Sequence, residues 1–400
     1  MSAEPTPTPL LASRAVRVTL VMSCLYTAAG VILVFLPRWL EAERGLTGAE
    51  IGAVLSLPQL ARILIGPTIA HWADGVADRR TPLRLISIAA VAAYAVFFFL
   101  ASGFWQLLIF GLIALSLSQT LTPLIEAATL RATADGRIPY GVARGIGSVA
   151  FMFANIVGGL LVARFGVGAT VAWVLLSLAS VCASSWLAML PDPPPQHVVT
   201  QRAGFSRIAE LMRNRRFVIL IFACGLIQCA HAFYYGFSTL VWREQGIPAE
   251  IVGLLWAFGV AVEVIFLWCL PPIERRTTPE ALIIIGSIGA VIRWVAMGFA
   301  PTGFILWPLQ ALHVFSFAAA HIGAMRLLFR DTPESSAATA QTLYAGLSAG
   351  LLMGMATLLS GALYDAVGAQ GYWAMAGIAV AGGALALLLL ERRASKATPR

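Results

Sequence analysis

The sequence predicts an all-α membrane protein in which twelve transmembrane helices form two six-helix bundles around a central cavity. Three observations carry that expectation. Of 400 residues, 59% are hydrophobic and only 12% are charged, whereas a soluble domain carries about 25% charged residues. The apolar residues gather in runs long enough to cross a bilayer as helices, and in lipid the backbone must satisfy its own hydrogen bonds, which selects helices. The basic residues concentrate in alternate loops.

In chain order the spans fall at 16–37, 50–71, 83–101, 104–130, 141–163, 167–190, 217–241, 249–271, 281–300, 303–328, 337–361 and 371–390. Sharp turns such as Ala101-Ser-Gly103 and Ala300-Pro-Thr-Gly303 separate them. The longest interruption, 191–216, begins Pro191-Asp-Pro-Pro-Pro195 and turns basic, as a linker between domains does. The expected organisation is a tail at 1–15, a bundle at 16–190, a linker at 191–216, a second bundle at 217–390 and a tail at 391–400. With the amino terminus inside, the outer loops carry only Arg38, Arg44, Arg164 and Arg243, while the inner loops hold pairs such as Arg79-Arg80, Arg215-Arg216 and Arg275-Arg276. The positive-inside rule then places both termini and the linker in the cytoplasm. The expected location is a bacterial-type inner (plasma) membrane, crossed many times.

The net charge of +8 does not point to nucleic acid, because it is spread over alternate loops. The Thr/Pro-rich start has no signal-peptide pattern. Cys24, Cys182, Cys224, Cys229 and Cys269 lie in apolar segments without metal-ligand spacing, so they read as small core residues. No nucleophile–base set and no phosphate-cradling loop is present. Neither an enzyme nor a cofactor or metal is expected.

Six ionisable side chains interrupt the apolar runs: Arg62, Glu126, Arg144, Glu263, Arg293 and His313. A charge at the middle of a spanning helix costs roughly 2.5–3.5 kcal/mol on insertion scales, so such groups pair or face water. An apolar protein with a polar centre has the plan of a solute transporter, whose site lies between two halves near mid-bilayer.

Glu126 and Arg144 each stand 9 residues from Asp135, at the turn between their spans. At 1.5 Å per residue both lie about 14 Å from that turn and would meet on antiparallel neighbours. A substrate or gating pair and a buried structural pair both fit. Gln119 shares the Glu126 face, and Arg144, Ser148, Phe151 and Asn155 form a second stripe. Two polar faces suggest a lined cavity, although Asn155 could equally bond between helices. Arg293 and His313 repeat the geometry, each 10 residues from Gly303. Glu263 lies just past the middle of its own span. Glu263 and His313 are the candidates for proton exchange, imidazole titrating near pH 6.5 when unperturbed. Gln228, His231 and Trp256 are further substrate-binding candidates. Arg62, Arg144 and Arg293 against Glu126 and Glu263 leave one positive charge over. An anionic substrate such as a carboxylate would complete that set, although neutral polyols also bind such networks.

The segment Gly66-Pro-Thr-Ile-Ala-His-Trp-Ala-Asp-Gly-Val-Ala-Asp-Arg-Arg80 resembles the loop motif of the major facilitator superfamily, with Asp74 or Asp78 as its acid and Arg79 and Arg80 as its basic end. These four would form a gating loop. Tyr140–Phe151, Gly253–Trp256 with Glu263-Val264, and Gln310–His313 with Ala324–Arg326 resemble the phenylpropionate permease family over nearly the whole chain. That resemblance implies proton-coupled uptake of an aromatic carboxylic acid. The charge pattern is also similar to that of lactose permease and its proton-symporter relatives. There an acid in span four and an Arg in span five bind sugar, which Glu126 and Arg144 match. Glu263, Arg293 and His313 match an acid, an Arg and a His in spans eight, nine and ten. The proton-carrying acid three residues after that His is here Ser316, which makes Glu263 the better candidate carrier and departs from the sugar-transporting pattern.

The expectation is a monomeric secondary transporter that imports a small organic solute with a proton by alternating access. Nucleoside or sugar symport and drug export are the alternatives within that class.

Overall fold

The computed structural model describes residues 13–76, 78–134, 138–191 and 205–394. Most of the expected tails and linker, together with Asp135, Arg137, Arg202, Lys396 and Arg400, lie outside the described residues.

Six helices make up the first half: α1 (Arg14–Arg44), α2 (Gly48–Gly75), α3 (Arg80–Phe99), α4 (Phe104–Thr133), α5 (Tyr140–Phe165) and α6 (Ala169–Leu187). The second half holds α7 (Phe205–Arg213), α8 (Arg215–Cys229), α9 (Ala232–Glu244), α10 (Ala249–Trp268), α11 (Leu270–Arg276) and α12 (Pro279–Met297), followed by α13 (Leu306–Ala311), α14 (Ala320–Asp331), α15 (Ala337–Ala345), α16 (Met353–Val367) and α17 (Gly371–Ala394). Eleven stretches are long and apolar enough to cross a membrane. The last of them, Glu334–Leu390, holds two passes that meet at the short turn Gly368–Gln370. The described residues therefore make twelve passes.

Several boundaries differ from the sequence reading. α1 runs through Pro37 to Arg44 and stops where Gly45 takes φ 65° and closes on Glu41 and Leu40, a conformation that glycine adopts without a Cβ penalty. Arg38, Arg44, Arg164 and Arg243 consequently sit on helix ends, not in loops. Thr47 and Glu50 form a reciprocal capping box that starts α2. α2 continues to Gly75, which places Asp74 on its last turn. Part of the expected linker is helical: α7 carries Ile208, Leu211 and Met212 at helical spacing, with Leu211 buried against the second half. Cys269, expected in the core, is exposed at the end of α10.

Three passes of the second half are broken. α8 and α9 meet at a turn where His231 N–H donates to Gln228 at i−3. The tenth pass loosens into a π-helical stretch at Val314–Ala319 and the eleventh at Gly346–Leu352. Such wide turns recur at functional sites.

Within the first half, α1 packs on α4, α5 and α6, and α3 packs on α4 and α6; within the second, α17 packs on α8 and α12, and α12 on α14. The halves meet through α2 on α16, α5 on α10 and α1 on α9. The bundle has two unlike ends. At the end carrying the Gly45, Gly166 and Gly246 turns, one apolar cluster joins both halves, from Trp39 and Phe97 to Phe233 and Trp294. At the other end, rich in arginine, there are two separate clusters, one in each half.

Polar bonds follow the same division. Arg243 holds Glu41 at 2.8 Å, Asp365 accepts from the Gly48 and Ala49 N–H groups at 2.7 Å each, and Gln59 reaches Thr357 at 3.4 Å. These bonds join the halves at the glycine-turn end or at mid-depth. At the arginine-rich end, Arg84 caps Ser185 and Trp186 within the first half, while Arg216 binds Glu280 and Asp331 within the second. The molecule is thus closed at the glycine-turn end and parted at the arginine-rich end. Glycines make the closed end possible: a Cβ on Gly52 would lie 3.0 Å from Gly361 Cα, and one on Gly159 would lie 2.6 Å from the Ala249 carbonyl.

Candidate functional site

Between the halves lies a cavity of about 270 Å³. The first half supplies α1, α2, α4 and α5, and the second supplies Tyr235 and Gly236 of α9 and Thr357 of α16. Side chains on each helix order it by depth. Pro37, Leu33, Leu55 and Leu115 wall its blind side toward the glycine-turn end. Gln59, Gln119, Tyr235 and Thr357 form a polar girdle at mid-depth, and Thr122, Leu25 and Phe151 follow. Glu126 stands one turn further along α4 and Arg144 two turns before Phe151 on α5, both outside the cavity lining.

Arg144 Nε lies 3.3 Å from Glu126 Oε1, and its Nη1 donates to Ser148 at 3.3 Å. The Tyr26 hydroxyl donates to Glu126 at 3.1 Å, while the Arg144 guanidinium lies 4.7 Å from the centre of the Tyr26 ring. Both charged side chains keep a third or more of their surface exposed, at 39% for Arg144 and 33% for Glu126. The equal depth read from the sequence therefore corresponds to a real pair, and one that water or a solute can reach. Nη2 of Arg144 makes no hydrogen bond within the described residues. Arg62 stands seven residues after Leu55 and three after Gln59, on the face that lines the cavity. It is exposed and has no ion-pair partner among the described residues.

The second-half network is buried. Arg293 is fully enclosed; it donates to His313 Nδ1 at 3.0 Å and to Gln310 Oε1 at 2.8 Å. The Tyr234 hydroxyl donates to the same Gln310 oxygen at 2.8 Å, and the Tyr234 and Trp294 rings flank the guanidinium at 4.4 and 4.6 Å. His313 Nε2 faces Glu263 Oε2 at 3.6 Å. Arg144 of the first half lies within electrostatic reach of Glu263. Arg144 and Glu263 stand at similar depth on α5 and α10, which pack together between the halves. The helix breaks at His231 and after His313 place these side chains: His231 Nε2 meets Ser316 at 3.0 Å, and Gln228 donates to the Phe317 carbonyl at 3.3 Å.

The remaining candidates divide. Trp256 stacks on Tyr234 at 4.4 Å and backs the buried network. Asn155 does not line the cavity; it is fully buried beside Gly30 with neither amide atom bonded, and its carbonyl abuts Gly253 of α10. In the gating loop, Asp78 holds Arg80 at 2.8 Å, and Arg80 also reaches the Met189 carbonyl. The Arg80 side-chain hydrogen bond holds the Asp78 carboxyl below the usual carboxylate range. Asp74 is exposed, and Arg79 precedes α3 at its cap position. Arg326 lies 3.8 Å from Glu274. Among the described residues, no group of three His, Cys, Asp or Glu side chains is placed to hold a metal.

Tyr26, Gln59, Thr122, Tyr234 and Thr357 join the site only through the fold. Gln59 was visible as a polar residue one turn before Arg62 on the same face. Tyr26 and Tyr234 carried no such signal, since an aromatic ring in a spanning helix is usually packing.

The MFS_1 like family model matches residues 16–375. A probable 3-phenylpropionic acid transporter of Escherichia coli (strain K12) is 30% identical over 352 residues, 88% of this chain and 91% of that protein. The maltose permease of Geobacillus stearothermophilus is 25% identical, covering 92% of each chain. Among solved structures, a mutant form of the nucleoside transporter NupG superposes with a TM-score of 0.84 at 15% identity, covering 94% of this chain and all of that one. Its relatives are permeases and not enzymes. With the model covering nine-tenths of its length, this multi-pass membrane protein belongs to the MFS_1 like family of major facilitator transporters.

Proposed function

We propose that this protein is a monomeric proton-coupled symporter that imports a small aromatic carboxylate by alternating access. The observation that carries the reading is the graded cavity. Its lining runs from an apolar blind side through a mid-depth polar girdle to Leu25 and Phe151, and Arg62 and Arg144 stand beyond that lining toward the arginine-rich end, so a carboxylate at Arg144 sets the ring of an aryl acid against Leu25 and Phe151. Arg144 binds the carboxylate through its free Nη2, and Arg62 offers a cation with no protein carboxylate of its own. Glu126 and Tyr26 hold Arg144 in place. Gln119 and Trp256 belong to the substrate environment, Trp256 by backing Tyr234 and Tyr235. Gln228 and His231 position the broken α8–α9 pass, and Asn155 acts at the helix interface, not on the solute.

Glu263 carries the proton, and His313, its other nitrogen tied to Arg293, orients its Nε2–H toward that carboxyl. The bodies that rock are 16–190 and 217–390. Asp78 and Arg80 tie the α2–α3 loop to the end of α6 and steady the mouth of the first half, with Asp74 and Arg79 beside them. The arginine-rich end is cytoplasmic by the positive-inside rule, so both termini are inside and the described state opens inward. The 30% identity to a probable 3-phenylpropionic acid transporter supports the choice of solute.

The test is a thermal-shift screen of purified protein against aryl carboxylates, sugars and nucleosides, because a ligand that binds only the folded form raises its melting temperature. Stabilisation by aryl carboxylates supports the reading. Stabilisation by sugars or nucleosides alone overturns it.

A further inference from the structure

The cavity presents polar groups that neither the charged pair nor the fold uses. Gln119 lines it at mid-depth, and its amide makes no hydrogen bond within the described residues. The Tyr235 hydroxyl, from the other half, is likewise unbonded and lines the same space. Gln59 beside them is already engaged, donating to the Leu55 carbonyl and to Thr357. The unbonded pair lies deeper than the charged site. From Glu126 to Gln119 is seven residues along one face of α4, about 10 Å of helix. That is close to the span from the carboxylate of an extended arylpropionate or cinnamate to the para position of its ring. Beyond the girdle the wall is apolar again, with Leu33, Leu55 and Leu115, and Ser118 beside it is already engaged with the Leu115 carbonyl and the Tyr94 hydroxyl.

We propose that Gln119 and Tyr235 select a para-hydroxylated aryl carboxylate over the unsubstituted acid. This rests on the aryl-carboxylate reading above and adds the substituent. The ring hydroxyl donates to the Gln119 carbonyl oxygen and accepts from the Tyr235 hydroxyl, so one substituent touches both halves. An unsubstituted ring leaves both groups facing C–H when the cavity closes. A site built to hydrogen-bond a hydroxyl discriminates against the analogue that lacks it because its own polar groups go unpaired.

Dissociation constants of 3-phenylpropionate and 3-(4-hydroxyphenyl)propionate are measured on the purified full chain, on Gln119→Leu and on Tyr235→Phe. The wild type is expected to favour the hydroxylated acid about five- to tenfold, the effect of one to two net hydrogen bonds. Either variant keeps one of the two hydrogen bonds, so the ratio of the two constants falls to about two- to threefold. Should one variant fail to fold, the other and the wild-type ratio still decide. Equal wild-type affinities overturn this inference and leave the aryl-carboxylate reading standing. A preference that both variants keep undiminished overturns it too. If neither acid binds the wild type, the aryl-carboxylate reading fails and takes this inference with it.

Discussion

Arg293 donates through Nη1 to Nδ1 of His313 at 3.0 Å, and this fixes the imidazole tautomer. A guanidinium has no acceptor, so Nδ1 must carry the lone pair, and the proton of a neutral ring sits on Nε2. That nitrogen faces Glu263 Oε2 at 3.6 Å. The proposed carrier is therefore faced by an oriented N–H, and Arg144 stands at similar depth on the packed helix α5. Protonation of Glu263 and occupation of Arg144 by a carboxylate both alter the charge that the halves share, which gives the two events a physical reason to be coupled.

Glu263→Gln keeps an oxygen for the His313 N–H but cannot carry a proton. Accumulation driven by a pH gradient should be lost, while solute exchange across liposomes with no gradient persists in part. Gradient-driven accumulation at the wild-type level would remove Glu263 from the coupling role.

Arg144→Lys retains the charge and loses the planar fork that serves Glu126, Ser148 and the solute together. Affinity for an aryl carboxylate should fall about tenfold or more, the scale of one charge-assisted hydrogen bond. Wild-type affinity by isothermal titration would show that the carboxylate binds elsewhere.

Asp365 of α16 caps the first turn of α2 from the opposite half, accepting from Gly48 and Ala49. Anion and helix N-terminus attract one another, and loss of such a cap costs about 1 kcal/mol. Asp365→Ala should raise the population open at the glycine-turn end about fivefold. Spin labels at the exposed positions Ala42 and Gln370 report it as growth of the longer distance; an unchanged distance distribution would contradict the latch.

The Asp78–Arg80 pair gives a pH signature. A carboxylate whose folded pKa is depressed adds stability above its unfolded pKa of about 3.9 and loses it as pH falls through the folded value. The melting-temperature difference between wild type and Asp78→Asn should be constant from pH 5 to 8 and shrink below about pH 4. Because Asp78 is partly exposed, the difference is small. Growth of the difference on acidification would contradict the pairing.

The sequence made the twelve passes and the charged depths legible because both are periodic: a helix rises 1.5 Å per residue, so equal distances from a turn mean equal depth. That is why Glu126 met Arg144 and Arg293 met His313. It could not show the breaks at His231 and within Val314–Ala319, since these passes are as apolar as unbroken ones and the break is set by what packs across it. Asn155 is kept from the cavity for a related reason. Its stripe on α5 was right, but Gly30 lets α1 approach so closely that the side chain is sealed from the cavity. Tyr26 and Gln59 became visible only once neighbouring helices placed Glu126 and Thr357 beside them.

The measurement that tests the account most directly is uptake of labelled 3-phenylpropionate into liposomes containing the purified protein, with the lumen made alkaline relative to the bath. The account predicts accumulation above the bath concentration that a protonophore collapses and that Glu263→Gln abolishes. Uptake that only equilibrates, or that is indifferent to the protonophore, would contradict it.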